Sequence, residues 1–223
     1  MKVFIMGNRG RMGKLLTDLF KDLGHEVKGF DILDGPTEPD SGEMQKADVI
    51  LLSIPQENAL QFCLNHPEFK NVVEIGSTKS IMKNLKGKII SIHPMFGPLS
   101  YQSINRRKIF FIGDISPEDS INLIRKLFGD MELITIGYDN HDRLMAEMLV
   151  TPYIISLISS RLATGRDPMT RSAEVLEQVS LISKLQSPEV MNMSIYLNPY
   201  SRSVFENIKS TLETLMTSPI NHP

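Results

Sequence analysis

Three glycines spaced three apart, in "VFIMGNRGRMGKLL", constrain this chain more than any other feature. Gly7, Gly10 and Gly13 fall between a short apolar run, "KVFIM", and an amphipathic stretch at 11–23. Between a strand and a helix, the first glycine permits a tight turn, the middle one lets backbone approach a pyrophosphate, and the last lets helix and strand pack closely. The helix N-terminus then offers free N–H groups and a positive dipole end to an anion. The spacing is GxxGxxG, one residue longer than GxGxxG, and glycines serving an ordinary turn are the alternative. Asn8, Arg9, Arg11 and Met12 complete the loop.

The residues after the loop support the dinucleotide reading. "HEVKGFD" reads as a second strand ending in Asp31, where a carboxylate accepts hydrogen bonds from ribose hydroxyls and repels a 2′-phosphate. NAD is therefore favoured, with Arg9 and Arg11 leaving NADP open. Continuous apolar runs, "DVILLSI", "NVVEIG", "KIISI", "KIFFIGD" and "MELITI", alternate with helical patterns at 57–65 and 117–128. Such alternation predicts a parallel sheet buried on both faces. "ADVILLSIPQ" is expected as its fourth strand, with Ser53, Ile54 and Pro55 at the carboxyl end, where backbone lines the cofactor.

After Gly137 the strand pattern stops and helices succeed one another. The expected architecture is α/β: a Rossmann-type dinucleotide-binding domain over 1–137 and a smaller all-helical domain over 138–223. A helix over 139–163 carries Leu144, Met148, Leu149, Ile154, Ile155, Leu157, Ile158 and Leu162 nearly all round it. So much apolar girth calls for a second subunit as well as neighbouring helices, and predicts a homodimer through the helical half. Pro152 should bend that helix. A net charge of -2 gives no general attraction for nucleic acid or anionic membrane, and no run approaches the roughly 18 apolar residues of a membrane span. The N-terminal apolar run is too short for a secretory signal. The lone Cys63 forms no internal disulfide, as in a reducing cytoplasm, and no pair of cysteines suggests a metal cage.

Two strand ends bring polar groups to one edge of the sheet: "VVEIGSTKS" delivers Ser77, Thr78 and Lys79, and "KIISIHPMFGP" delivers His93. "HPMFGP", at 93–98, resembles the signature of the prephenate dehydrogenases, which oxidatively decarboxylate prephenate on the way to tyrosine. The glycine loop, "IGSTKS" and "NHDRLMA" extend the resemblance over most of the chain. It implies that His93 accepts the proton or a hydrogen bond of the substrate's ring hydroxyl, since an imidazole can do so near neutral pH. Ser77 would bond near the histidine and nicotinamide, Lys79 would add positive charge towards substrate carboxylates, and His141 and Tyr153 would touch substrate. Each has a plainer alternative: a structural histidine at 93, a solvated lysine at 79, and a helix cap from Asn140 or Asp142 at the His-Asp pair.

The match departs from the family in two places. Tyr153 stands where many members have a histidine, and "VMNMSIYLNP" lacks the arginine that clamps a carboxylate. Arg106, Arg107, Arg161, Arg166, Arg171 and Arg202 are the candidates for that clamp. Arogenate in place of prephenate, a related small reductase, and a catalytically silent NAD-binding regulator stand as alternatives. Reductases of that plan place a lysine or aspartate on the long helix, where this chain has Glu147.

Overall fold

The structure, a computed structural model, describes residues 1–35, 39, 41–103, 107–162 and 170–217. The chain divides into two compact units, Met1–His141 and Asp142–Pro223. In the first, seven strands form one sheet among the described residues: β1 (Lys2–Met6), β2 (Glu26–Phe30), β3 (Val49–Leu52), β4 (Val72–Glu74), β5 (Ile90–Pro94), β6 (Lys108–Ile112) and β7 (Glu132–Ile136). Their order is β2-β1-β3-β4-β5-β6-β7. Helices α1 (Arg11–Asp22), α2 (Ser41–Gln45), α3 (Gln56–Asn65) and α4 (Ile121–Phe128) connect them.

Alternate residues of a strand point to opposite faces, and here both faces are covered. Val3, Ile5, Val49, Leu51, Val73, Ile90, Ile92, Ile109 and Phe111 form one core with Leu16, Leu19 and Phe20 of α1 and Ile124, Leu127 and Phe128 of α4. The intervening Phe4, Ile50, Leu52 and Val72 are buried as well. That explains the unbroken apolar runs of the sequence.

Two features of the sheet differ from expectation. The 49–52 strand is the third in the chain, because residues between Asp31 and Asp48 hold a 3-10 turn (Ile32–Asp34) and the short α2, and no strand among those described. The sheet is also not wholly parallel: β5 pairs antiparallel with β6, through Ile92–Phe111, His93–Phe110 and Pro94–Ile109. A parallel neighbour needs a crossover, usually a helix, and the described residues between Pro94 and Lys108 form none. The β6–β7 connection does contain α4, and that pair is parallel.

The second unit is helical, as expected. Helix α5 (Tyr138–Met145) begins in the first unit, and from Asp142 the chain continues through a π turn (Ala146–Val150) into α6 (Thr151–Leu162), α7 (Arg171–Leu185), α8 (Pro188–Leu197) and α9 (Ser201–Thr217). The π turn is how the helix accommodates Pro152. Thr151 bonds through both its N–H and its hydroxyl to the Ala146 carbonyl, five residues back, so the widened turn comes directly before the residue that has no N–H to give. A core of Ala146, Val150, Tyr153, Ile154, Met191, Ile195 and Val204 holds the unit together. No helix among the described residues is long and apolar enough to cross a membrane.

The glycine turn is tightly built. Gly7 has φ +79°, and a Cβ there would overlap the Ser53 carbonyl; a Cβ on Gly13 would overlap the Gly7 carbonyl oxygen, while one on Gly10 would meet that oxygen at 3.3 Å. Gly13→Ala should therefore destabilise the protein by about 1–3 kcal/mol or more, because backbone must move to make room. Gly10→Ala should cost clearly less. Urea denaturation of the two variants checks the ranking, and equal stability would contradict it.

Candidate active site

The site is built at the carboxyl ends of β1 to β5. The turn after β1 is pinned by Gly7 N–H donating to the Phe30 carbonyl at 2.7 Å and Gly10 N–H donating to the Gly7 carbonyl at 3.1 Å. Helix α1 then starts at Arg11 with glycine at its N-cap, which has no side chain to meet the first N–H groups, while the Gly10 carbonyl accepts from Lys14 N–H at 2.8 Å. Asp31 ends β2 as expected: buried, its carboxylate accepts from Arg9 N–H at 3.2 Å and Leu33 N–H at 3.1 Å. The Asn8 side chain lies over Gly29, and Asn8 Oδ1 is a buried acceptor with no hydrogen-bond partner among the described residues. Ser53 continues from β3, its N–H donating to the Met6 carbonyl, with Ile54 and Pro55 leading into α3. A cradle that a Cβ would fill, an uncapped helix start and a fixed carboxylate at the end of β2 together suit a dinucleotide.

His93 lies within β5, one residue before its end, and is partly buried. Its Nδ1 is 3.0 Å from His141 Nε2, and the rings meet edge-on at a centroid distance of 5.1 Å. Phe110, the residue across the strand pair from His93, packs edge-on against His141. Burial, the His141 ring and the Lys79 charge, in that order, hold the His93 pKa well below the usual 6.5. The imidazole is thus a neutral base at physiological pH.

Lys79 overturns the solvated alternative: the side chain is fully buried, and Nζ donates to Glu74 Oε1 at 2.7 Å and to the Ile92 carbonyl at 2.6 Å. Glu74 also accepts from the Ser91 hydroxyl and from Gly76 N–H. Ser77 lies in the same 75–79 segment, whose Thr78 is held through both backbone groups by the Gln56 amide.

The capping reading of the His-Asp pair is overturned. Helix α5 begins at Tyr138, so Asn140 and Asp142 lie inside it, and the Tyr138 N–H is met by the distant Asp114 carboxylate at 2.9 and 3.2 Å. His141 and Asp142 are both fully buried. Tyr153 belongs to the core of the second unit, and burial raises its phenol pKa, leaving it a neutral donor.

Of the candidate arginines, Arg106 and Arg166 lie outside the described residues. Arg107 stacks 4.0 Å over the Tyr101 ring and donates twice to the Tyr101 carbonyl. Arg161 lies in the last turn of α6, and Arg171 and Arg202 make exposed pairs with Glu174 and Glu206. Arg143, which sequence reasoning passed over although it stands within "NHDRLMA", lies 4.7 Å over the Tyr200 ring. Cys63 is buried and its thiol pushed up to about 12, which makes it inert. Among the described residues no cluster of His, Cys, Asp or Glu could hold a metal ion.

No protein-family model matches this chain, and no curated protein matches it. Solved structures do. Prephenate dehydrogenase from Aquifex aeolicus, in complex with hydroxyphenyl propionate and NAD+, is similar with a TM-score of 0.73 at 14% identity, over 97% of this chain and 89% of that one. Synechocystis arogenate dehydrogenase is similar with a TM-score of 0.62 at 17% identity, over 97% and 91%. An NADH-preferring ketol-acid reductoisomerase from an uncultured archaeal source gives 0.56 at 13%, over 96% and 81%. At these identities the likeness establishes the fold, a Rossmann-type domain followed by a helical part.

The buried Glu74–Lys79 pair yields a stability test. Lys79→Met leaves a carboxylate buried without its cation and should cost about 3–5 kcal/mol, whereas Glu74→Met with Lys79→Met should recover most of that loss. Urea titration of the two variants measures the difference, and a double variant no better than the single would contradict it.

Proposed function

We propose that this protein is an NAD-dependent prephenate dehydrogenase. The observation that carries the reading is His93: the "HPMFGP" histidine lies at the carboxyl end of β5, in the same unit as the glycine cradle, with its pKa depressed. Open α/β sheets bind ligands at that edge. The similarity of the whole chain to prephenate and arogenate dehydrogenases supports it further.

Bound NAD would supply the oxidant, taking hydride from the ring carbon that bears the substrate hydroxyl. The chain's own residues then have defined tasks. His93 takes the hydroxyl proton as that carbon is oxidised. Carbon dioxide leaves from the opposite ring carbon, the electron pair of the broken C–C bond makes the ring aromatic, and the phenolic oxygen recovers a proton. Ser77 orients the substrate or nicotinamide beside His93, and Asp31 takes the adenine ribose hydroxyls, favouring NAD over NADP. His141 and Tyr153 were expected to touch substrate; Tyr153, kept protonated, could donate to a carboxylate. Arg107 is held by the Tyr101 ring, and its guanidinium is the candidate in the first unit for the carboxylate clamp that the resemblance calls for.

Assay with NAD, then NADP, against prephenate and arogenate tests this reading directly through the absorbance of reduced nicotinamide. His93→Asn should lower kcat by about 10²-fold or more with little change in nucleotide affinity. Because the His93 pKa is depressed, the acid limb of kcat/KM should lie well below 6.5, activity falling as pH drops through the depressed pKa and the ring is protonated. By the same sign, stability should fall as pH drops below 6.5, since the unfolded chain binds a proton that the folded one refuses. No turnover with either acid, or near-native kcat in His93→Asn, removes the proposal.

The second part of the proposal is a homodimer through the helical unit. Ser156 and Ser180 are buried where α6 meets α7, while Ile155, Leu157, Ile158, Leu162, Leu181 and Leu185 remain exposed, Leu162 to 65%. Apolar faces on both helices of one hairpin suit a second copy of the same surface. Sedimentation should give a dimer at assay concentration, and Leu181→Glu with Leu185→Glu a monomer. A stable monomer of the native chain sinks this part.

A further inference from the structure

We propose that His141 is a positioning residue that fixes the tautomer of His93, holding its proton on Nδ1 so that the Nε2 lone pair is offered to the substrate hydroxyl. The assignment rests on the dehydrogenase reading, which requires His93 to be a base, but its test does not require turnover. Two ring nitrogens 3.0 Å apart, His93 Nδ1 and His141 Nε2, need one hydrogen between them. If His141 gave that hydrogen, a neutral His93 would carry its own on Nε2 and could accept nothing there. If His93 gives it, Nε2 is a free acceptor. Only the second arrangement permits the proposed chemistry.

The surroundings hold the pair in place. His141 is fully buried in the first turn of α5, its backbone N–H donating to the Gly137 carbonyl, with the Phe110 ring edge-on against its imidazole at 5.7 Å. The first N–H of that helix is tied to Asp114. His93 is fixed from below, because Lys79 donates to the carbonyl of Ile92, the residue before it. The other ionisable groups acting on His93 are thus His141 on α5 and Lys79, itself paired with Glu74 on β4; Phe110 on β6 is uncharged.

An imidazole partner also makes chemical sense. A carboxylate in the place of His141 would orient the ring equally well but would raise its pKa, filling the lone pair with a proton near neutrality. The His141 imidazole orients the ring and acts to lower its pKa, the opposite of what a carboxylate would do. When His93 has taken the substrate proton and become an imidazolium, its Nδ1–H still donates to His141 Nε2, so the contact persists through the step.

The test is nitrogen NMR of the imidazole rings in the full-length protein without ligand, at a pH where both are neutral, with His93→Asn identifying the His93 signals. His93 should show a protonated Nδ1 and an unprotonated Nε2. His141→Leu should release it to the Nε2–H form that free imidazole side chains prefer, while His141→Gln, whose amide oxygen can reach the position of Nε2, should retain the native tautomer. In turnover, His141→Leu should lose about 10- to 10²-fold in kcat with KM for NAD unchanged, and His141→Gln should recover most of it. Native His93 found with its proton on Nε2 overturns the proposal, as does a folded His141→Leu protein with native tautomer and kcat. The NMR result stands whether or not prephenate is the substrate, so failure of the positioning role is distinguishable from failure of the functional reading.

Discussion

Glu74 and Lys79 are charges withdrawn from water at the point where the sheet gives way to the candidate site. Their side chains are 1% and 0% exposed, and such a pair holds only if its remaining hydrogen-bonding capacity is met. It is met by backbone and side chains from several segments. The Glu74 carboxylate gathers the Lys79 ammonium, the Ser91 hydroxyl and the Gly76 N–H, and Lys79 reaches on to the Ile92 carbonyl. The end of β4, the 75–79 segment with Ser77, and the strand leading into His93 are thereby fixed to one ion pair. The same ammonium contributes to keeping the imidazole unprotonated, so one interaction acts on both the position and the charge of His93.

The reversal of the sheet after β5 works in the same direction. Pro94 ends the strand and has no N–H to continue a ladder, while Gly97 opens the turn whose carbonyl accepts from Ser100 and Tyr101. The chain comes back antiparallel as β6, and Phe110 arrives opposite His93 and against His141. Had a crossover helix come after β5, its parallel neighbour would have been reached from the opposite edge, with a different residue beside the histidine. Pro94 and Gly97 of "HPMFGP" thus shape the turn that brings Phe110 opposite His93.

Local backbone constraints were legible in the sequence, and partnerships between distant residues were not. The glycine turn, Asp31 at the end of β2 and the helical second half stem from spacing and periodicity. The burial of Lys79 was not legible because its partners lie on two strands: Glu74 is five residues away, but Ile92 is brought near only by the pairing of β4 with β5. A glutamate within an apolar strand, five residues before a lysine, was the available signal. The His93–His141 contact spans 48 residues, and no local pattern reveals it. Pro152 announced a disturbance of the long helix, but not that a π turn would absorb it, since that depends on Thr151 bonding back to Ala146.

Beside its apolar core, the helical unit buries serines where α6 meets α7. At the contact of α6 and α7, Ser156 accepts from the Ser183 N–H at 2.8 Å and gives its proton to the Ser180 carbonyl, so the helices are joined there through small hydroxyl side chains. Small residues let helix backbones come together, but they bury little apolar surface. Ile154 is buried, but Ile155, Leu157, Ile158 and Leu162 of α6 and Leu181 and Leu185 of α7 stay exposed. At roughly 25 cal/mol per Å², such a hairpin gains less from its own contact than its composition would allow. On the dimer reading the missing burial is recovered between two chains, which makes the folding of this unit and its association parts of one equilibrium, dependent on protein concentration.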